Sequence, residues 1–296
     1  MPTYPYMLID AFTDRPLGGN PCAVIFDADP LTAATMQAIA REMNLSETAF
    51  VRRSAVAAVG ARFFTPAEEI PLAGHPTLAT IFGLVDSRRL ALTGAATTFT
   101  LELPAGVITV AVQAQGGRVV QIVMSQLAPR FLTVYDPAEV LPAFGLRLED
   151  ALPGAPIQTV STGTPQLFIP LRDHAALRRA RVDHAAYPAL RVRGDFFSPH
   201  LFCLEGVTPS GHTFARHFGV PPDTPEDPFT GSATGGMAAY LWHYGLITTP
   251  TFVAEQGHWM GRPGQATVEV VGTPDAITTV RVGGGAVVVV RGELTL

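Results

Sequence analysis

Three titratable side chains stand where a proton could be moved: Glu47, His75 and Asp227. Glu47 lies in Leu45-Ser-Glu-Thr-Ala-Phe-Val51, where period-two alternation puts Leu45, Glu47, Ala49 and Val51 on one strand face. A carboxylate in an apolar row is costly unless it is neutral, paired or used, and burial lifts its pKa toward the range of a general acid/base. The competing reading is a strand-end Glu turned to water. His75 and Asp227 belong to two stretches with shared punctuation. One is Glu69-Ile-Pro71-Leu-Ala-Gly74-His75-Pro-Thr77, the other Glu226-Asp227-Pro228-Phe-Thr-Gly231-Ser232-Ala-Thr234. Both read E-x-P-x-x-G-x-x-T.

A repeat at half the chain length predicts two related lobes, each offering a glycine loop at a helix start. Pro76 is a natural first helical residue, so His75 is expected at the cap, where the helix dipole disfavours imidazolium. Ser232 takes the equivalent place and should cap the second helix. An ordinary cap is the plainer reading of His75, and a turn residue before Pro228 that of Asp227, which stands where the first copy has Ile70. Amides at Gly74-His75 and Gly231-Ser232 would point outward from the helix starts and bind an anion. The implied ligand is a small carboxylate-bearing molecule held between two helix N-termini.

Other chemistries find no motif. Ser232 is not in G-x-S-x-G, which leaves a serine hydrolase poorly supported. No P-loop or dinucleotide-binding glycine motif occurs, nor a C-x-x-C or Cys/His cluster, so neither a nucleotide cofactor nor a metal is expected. The cysteines, Cys22 and Cys203, lie in apolar strand-like runs and read as buried free thiols.

The elements that must position these residues are legible in outline. Met7–Phe12 and Cys22–Phe26 read as strands around a turn-rich loop, Leu45–Val51 and Ala61–Thr65 as two more. Asp29-Pro30 should open a helix that stops at Asn44, and helical runs after Gly74 and Ser232 should end at Gly83-Leu84 and Gly245-Leu246. Leu101–Val112 and Val119–Ser125 alternate around Gly116-Gly117; Asp136-Pro137 opens a short helix in the Pro-rich stretch 126–160. Leu167–Leu171 and Asp195–Cys203 read as strands, Asp173–Arg179 as helix, and Val268–Val271, Thr278–Val282 and Ala286–Leu294 as closing strands. Strands with few helices in two similar halves make an α+β fold. The first lobe is expected at 1–125, completed by a strand at 284–296, and the second at 126–283.

With 47% apolar and only 15% charged residues, against roughly 25% charged in soluble domains, much of the 296-residue chain must be buried, in cores or at a subunit interface. A homodimer is expected on that ground. Net charge is −5 and no basic run occurs, which argues against nucleic acid. Without a charged-then-apolar leader or an apolar run near 18 residues, a cytoplasmic protein with no membrane partner is expected.

Taken in order, Asp10-Ala-Phe-Thr13, Gly19-Asn-Pro21, Asn44-Leu-Ser-Glu-Thr48, Phe64-Thr-Pro66, Gly74-His-Pro-Thr77, Ser161-Thr-Gly163, Glu226-Asp-Pro228, Thr230-Gly-Ser-Ala233 and Gly261-Arg-Pro263 resemble the phenazine-biosynthesis-like (PhzF-like) isomerase family. Each motif is weak alone; the set spans nearly the whole chain. The resemblance implies the diaminopimelate-epimerase-like fold, two α+β lobes about a pseudo-twofold axis with the active site in the cleft. It implies a cofactor-independent isomerase or epimerase, similar to dihydro-3-hydroxyanthranilate isomerase. Glu47 matches the family's acid/base; His75 and Asp227 match residues that orient substrate or share in proton movement. Gly231 and Ser232 match residues that bind the substrate carboxylate, and Ser46 and Gly74 are expected to bind substrate beside them. Two departures stand out. Related racemases carry a cysteine in each lobe loop, whereas Cys22 and Cys203 lie in neither, and Gly264 replaces the serine that usually follows Gly-Arg-Pro. The expected function is general acid/base proton transfer on a small carboxylic acid; the alternative is a non-catalytic protein binding a small carboxylate in the same cleft.

Overall fold

The computed structural model describes residues 1–219 and 224–296. The first half contains β1 (Thr3–Ala11), β2 (Asn20–Ile25), α1 (Ala33–Met43), β3 (Glu47–Arg52), β4 (Val59–Phe64), β5 (Glu69–Ile70), α2 (Gly74–Asp86), β6 (Ala96–Leu103), β7 (Gly106–Gln115) and β8 (Arg118–Gln126). The second contains β9 (Arg130–Tyr135), α3 (Pro137–Val140), β10 (Ile157–Ser161), β11 (Pro165–Pro170), α4 (His174–Arg179), α5 (Tyr187–Arg193), β12 (Ser198–Cys203), β13 (Thr213–Phe218), β14 (Glu226–Asp227), α6 (Gly231–His243), β15 (Thr251–Gln256), β16 (Gly264–Thr273) and β17 (Ala276–Gly284). Strand β18 (Ala286–Thr295) closes the chain.

The fold is mixed α+β with one large, branched sheet, and its order of pairings is the same in both halves. β1–β2 is antiparallel, β2–β3 parallel, β3–β4 antiparallel, β4–β6 parallel, and β6–β7–β8 antiparallel. From β10 the series recurs: antiparallel to β11, parallel to β12, antiparallel to β13, parallel to β15, then antiparallel through β16 and β17. β8 and β17 pair and join the two series. β18 returns to β1, and β9 pairs with β10.

Sequence explains the layers. β7 and β16 alternate cleanly, with Val110 and Val112, and Ala266, Val268 and Val270, turned inward. α2 and α6 are apolar nearly all round, the pattern of a helix enclosed by sheet rather than lying on it. One continuous core holds Leu78, Ile81 and Leu84 of α2 together with Met237, Tyr240 and Leu241 of α6. A smaller cluster lies beneath α1, and a larger one beneath α3, α4 and α5.

Several boundaries differ from those expected. α1 starts at Ala33 with Thr32 as its cap, because Thr32 Oγ1 accepts the Thr35 N–H and the Asp29-Pro30 turn lies upstream. Asn44 does stop it in the left-handed conformation. Gly83 does not end α2. It sits inside the helix, where an added Cβ would lie 2.8 Å from Ile9 and 3.2 Å from Phe26, so it marks close packing. The run Leu101–Val112 is broken by the turn between Leu103 and Gly106. α5 and β15 carry no expectation from the sequence reading.

Candidate active site

The strands β3, β5 and β14 and the starts of α2 and α6 meet around one cavity of about 540 Å³, within the usual range for small-molecule sites. Ser46, Glu47, Gly74, His75, Asp227, Gly231 and Ser232, all expected at the site, line it together.

The helix starts each lie two residues earlier than Pro76 and Ser232 imply. Ala73 and Thr230 are the N-caps, neither with a side-chain cap, and α2 and α6 begin at Gly74 and Gly231. His75 and Ser232 therefore occupy the first turns. Pro76, expected as the first helical residue, is the third. The two helices meet nose to nose. A Cβ on Gly74 would lie 3.2 Å from Ser232 N and 3.3 Å from Gly231 Cα, and one on Gly231 would lie 2.7 Å from Phe12. Only glycine lets two backbones approach this closely. First-turn amides have no partner within their own helix, and two positive dipole ends in contact repel unless an anion lies between them. Ser232 Oγ makes no hydrogen bond to another described residue.

Glu47 opens β3, with Ala49 and Val51 of its face sunk in the core, so its carboxyl sits where the apolar row meets the cavity. It is not turned out to bulk water: its side chain is 18% exposed, and Oε2 lies 3.3 Å from His75 Nε2. His75 is buried, and burial pulls its pKa down to about 3, so it is neutral at physiological pH. The expected neutrality is there, and its cause is desolvation rather than a cap position at the dipole.

The tautomer follows from Asn20. Its side-chain amide donates at 2.8 Å to Asp227 Oδ1 and at 2.8 Å to the Phe229 carbonyl, and stands 3.0 Å from His75 Nδ1. Two oxygen acceptors identify that atom as the NH2. Nδ1 is then the acceptor, and the imidazole proton sits on Nε2, facing Glu47. Asp227 is held from three sides: Ser46 Oγ donates to Oδ1 at 2.6 Å, Thr230 Oγ1 to Oδ2 at 2.5 Å, and Asn20 completes the set. Burial raises the Asp227 carboxyl above its usual range; these donors oppose that, and neighbouring Glu226 adds to it.

Asn20, fully buried, is a candidate site residue that the sequence alone does not single out. Its signal was a polar residue opening a strand inside Gly19-Asn-Pro21. The loop that carries it is braced from the far end of the chain. Arg262 donates to Asp10 Oδ1 at 2.6 Å, to Gly18 O at 2.8 Å and to Gly19 O at 2.9 Å, and Gly19 N–H donates to Pro263 O at 3.0 Å. Gly264 fits this brace, since a Cβ there would lie 2.7 Å from the Phe229 ring. The repeat is also longer than E-x-P-x-x-G-x-x-T. Ala61-Arg-Phe-Phe64 and Ala215-Arg-His-Phe218 precede it, and Arg62 clasps Glu69 as Arg216 clasps Glu226, each through two nitrogens. Cys22 pairs in register with Glu47 but is fully buried behind it, and Cys203 is buried as well. Burial raises both thiols, which leaves them protonated. Among the described residues no helix is long and apolar enough to cross a membrane.

The family model for phenazine biosynthesis-like proteins matches residues 9–292. The trans-2,3-dihydro-3-hydroxyanthranilate isomerase of Pseudomonas chlororaphis is 36% identical over 300 residues, covering 98% of this chain and 99% of that one. An uncharacterized isomerase of Bacillus subtilis, YfhB, is 34% identical over 263 residues, covering 88% of each. The crystal structure of a PhzF-family phenazine biosynthesis protein from Bacillus anthracis superposes with a TM-score of 0.88 at 32% identity, covering 100% of both chains. The fold and the relatives define an isomerase. The chain belongs to the phenazine-biosynthesis-like (PhzF) family.

Proposed function

We propose that this isomerase works without a cofactor, moving a proton by general acid/base catalysis on a small carboxylic acid bound between two lobes. The lobes are 1–125 with 284–296, and 126–283, related by a pseudo-twofold axis. The recurring order of strand pairings supports that division, as does the pairing of β18 with β1 and of β9 with β10. The observation that carries the chemistry is Glu47 Oε2, 3.3 Å from the neutral His75 beside two uncapped helix starts.

In this reading the substrate carboxylate rests on the amides of Gly74, His75, Gly231 and Ser232, with Ser232 Oγ as a further donor. Glu47 takes a proton from a carbon activated by that carboxylate. The C–H bond breaks, an O–H bond forms on Glu47, and the electron pair moves toward the carboxylate oxygens, where both helix dipoles stabilise it. Glu47 then returns the proton to another carbon on the face from which it was taken. The Nε2–H of His75, 3.3 Å from Glu47 Oε2, keeps its proton and is placed to turn a hydrogen bond onto the ionised carboxylate when substrate aligns the pair. Asp227, through Asn20 and Ser46, fixes His75 and the strand start that carries Glu47. The Pseudomonas relative is named for a hydroxylated dihydroanthranilate, which fits a cavity of this size and this anion site. A homodimer and a cytoplasmic location belong to the same reading.

The test is solvent deuterium exchange into a panel of small carboxylic acids, read by mass. A deuteron should enter at least one acid in a Glu47-dependent manner. Binding without exchange would assign the cleft to a carboxylate-binding protein with no catalysis.

A further inference from the structure

The cavity has a second polar wall that the acid/base reading does not use: Gln166, Ser198 and His217, backed by His200. Register gives this wall its meaning. In the first half, Cys22 pairs with Glu47 and Ala49 with Phe63; in the second, Gln166 pairs with Ser198 and His200 with His217. Ser198 thus stands at the strand position of Glu47, and His217 at that of Phe63. A thiol, a carboxylate, a methyl and a phenyl are exchanged for four uncharged polar groups in one chain. His200 Nδ1 is 3.2 Å from His217 Nδ1, His217 Nε2 is 2.8 Å from Ser198 Oγ, and Ser198 Oγ is 2.6 Å from Gln166 Oε1. All four residues are at most 7% exposed.

The direction of this chain can be assigned. His200 Nε2 is sealed from solvent and has no hydrogen-bond partner among the described residues. A buried orphan acceptor is less costly than a buried orphan N–H, so Nε2 is the acceptor and the His200 proton is on Nδ1. His200 then donates to His217 Nδ1, His217 Nε2 donates to Ser198 Oγ, and Ser198 donates to Gln166 Oε1. Burial keeps both rings neutral: His217 is pulled down to about 3, and His200 well below its ordinary value, with His217 adding to the shift. The chain ends at the sealed His200 nitrogen and so has no route for a net proton. It is not a second acid/base.

What it leaves for a ligand is a matched pair. Ser198 Oγ has spent its proton and one lone pair, and one lone pair remains. Gln166 Nε2 makes no hydrogen bond to another described residue and is not among the sealed polar atoms. A ligand hydroxyl accepts from the Gln166 Nε2–H and donates to the remaining lone pair of Ser198 Oγ. We propose that Gln166 and Ser198 form a subsite for a neutral hydroxyl substituent of the substrate, on the second-half wall of the cavity, with His217 and His200 as positioning residues. The proposal rests on the carboxylate-binding reading above.

Calorimetric titration of the full chain with anthranilate and with 3-hydroxyanthranilate, acids that differ by one hydroxyl, tests it. The wild type should bind the hydroxylated acid about tenfold more tightly, and Ser198→Ala and Gln166→Met should each bring that ratio close to one while anthranilate affinity holds. The two substitutions are independent, so a folding defect in one leaves the other to decide. A wild-type ratio near one, or an unchanged ratio in the folded variants, overturns the hydroxyl subsite alone. Failure of both acids to bind overturns the carboxylate reading, and the subsite with it.

Discussion

The loop leading into α2 and the loop leading into α6 share their skeleton and differ in their chemistry. Glu69 and Glu226 hold Arg62 and Arg216, Gly74 and Gly231 let the helix ends touch, and Thr77 and Thr234 return a hydroxyl to Ala73 O and Thr230 O. The remaining pairs are unequal: His75 against Ser232, Ile70 against Asp227, Glu47 against Ser198, Phe63 against His217. Residues that fix backbone shape recur in both copies, while the others differ. In the proposed reading the first half supplies the acid/base pair. The second supplies a carboxylate held by donors and a neutral hydrogen-bonding wall.

The comparison breaks hardest at Glu47. Glu47→Gln keeps shape and hydrogen bonding but removes the base, and should lower deuterium exchange into substrate by about 10²–10⁴-fold with little change in melting temperature. An equal loss in Ser198→Ala would make the halves chemically alike and end the asymmetry.

Asn20 joins the two sides, and Asn20→Ala removes the donor shared by His75, Asp227 and Phe229 O. Unfolding in urea should show a loss of about 1–3 kcal/mol for the buried acceptors left unpaired, and exchange should fall even at pH values where the variant is fully folded.

Between the twin ion pairs the second should matter more. Arg216 is the better buried and also donates to Leu177 O and Ala180 O, whereas among the described residues the Arg62 side chain hydrogen-bonds only to Glu69. Arg216→Ala is expected to cost about 3 kcal/mol in urea unfolding and Arg62→Ala about 1 kcal/mol. Equal costs would show that the extra carbonyl contacts contribute nothing.

The last comparison concerns acid. His75 and His217 have folded pKa values near 3, below the ordinary 6.5 of an unfolded chain. The unfolded state takes up their protons first. Their neutral burial therefore favours folding above about pH 6.5, and that advantage is lost as pH falls from there toward 3, by about 1.4 kcal/mol per pH unit for each ring. His217→Phe, which copies Phe63, should lower stability at pH 7 yet give a shallower fall between pH 6.5 and 5, read from urea midpoints. A slope equal to wild type would place the acid sensitivity elsewhere.

Much of this site was legible in sequence because its parts are local. E-x-P-x-x-G-x-x-T marks two glycine-led helix starts, and a Glu in an apolar strand row stands out against its neighbours. Asn20 was not legible in the same way. Its role depends on contacts to His75 and Asp227 that only folding brings together, and on a brace from Arg262 at the other end of the chain. Both helix starts lie two residues before the expected ones because Pro76 and Ser232 are good first-turn residues as well as good boundary signals, while Ala73 and Thr230 cap through backbone alone. The relation of Ser198 to Glu47 rests on strand register, which no local pattern encodes.

By itself the sequence determined the duplicated punctuation, the apolar helices that must be enclosed, and the identity of the three titratable groups, since each follows from residue type and near-neighbour spacing. Tertiary structure decided which of those groups meet, which nitrogen of His75 carries the proton, and which half holds which chemistry. Those outcomes depend on desolvation and on hydrogen bonds between residues far apart in the chain, and both exist only once the two halves have closed on the cavity.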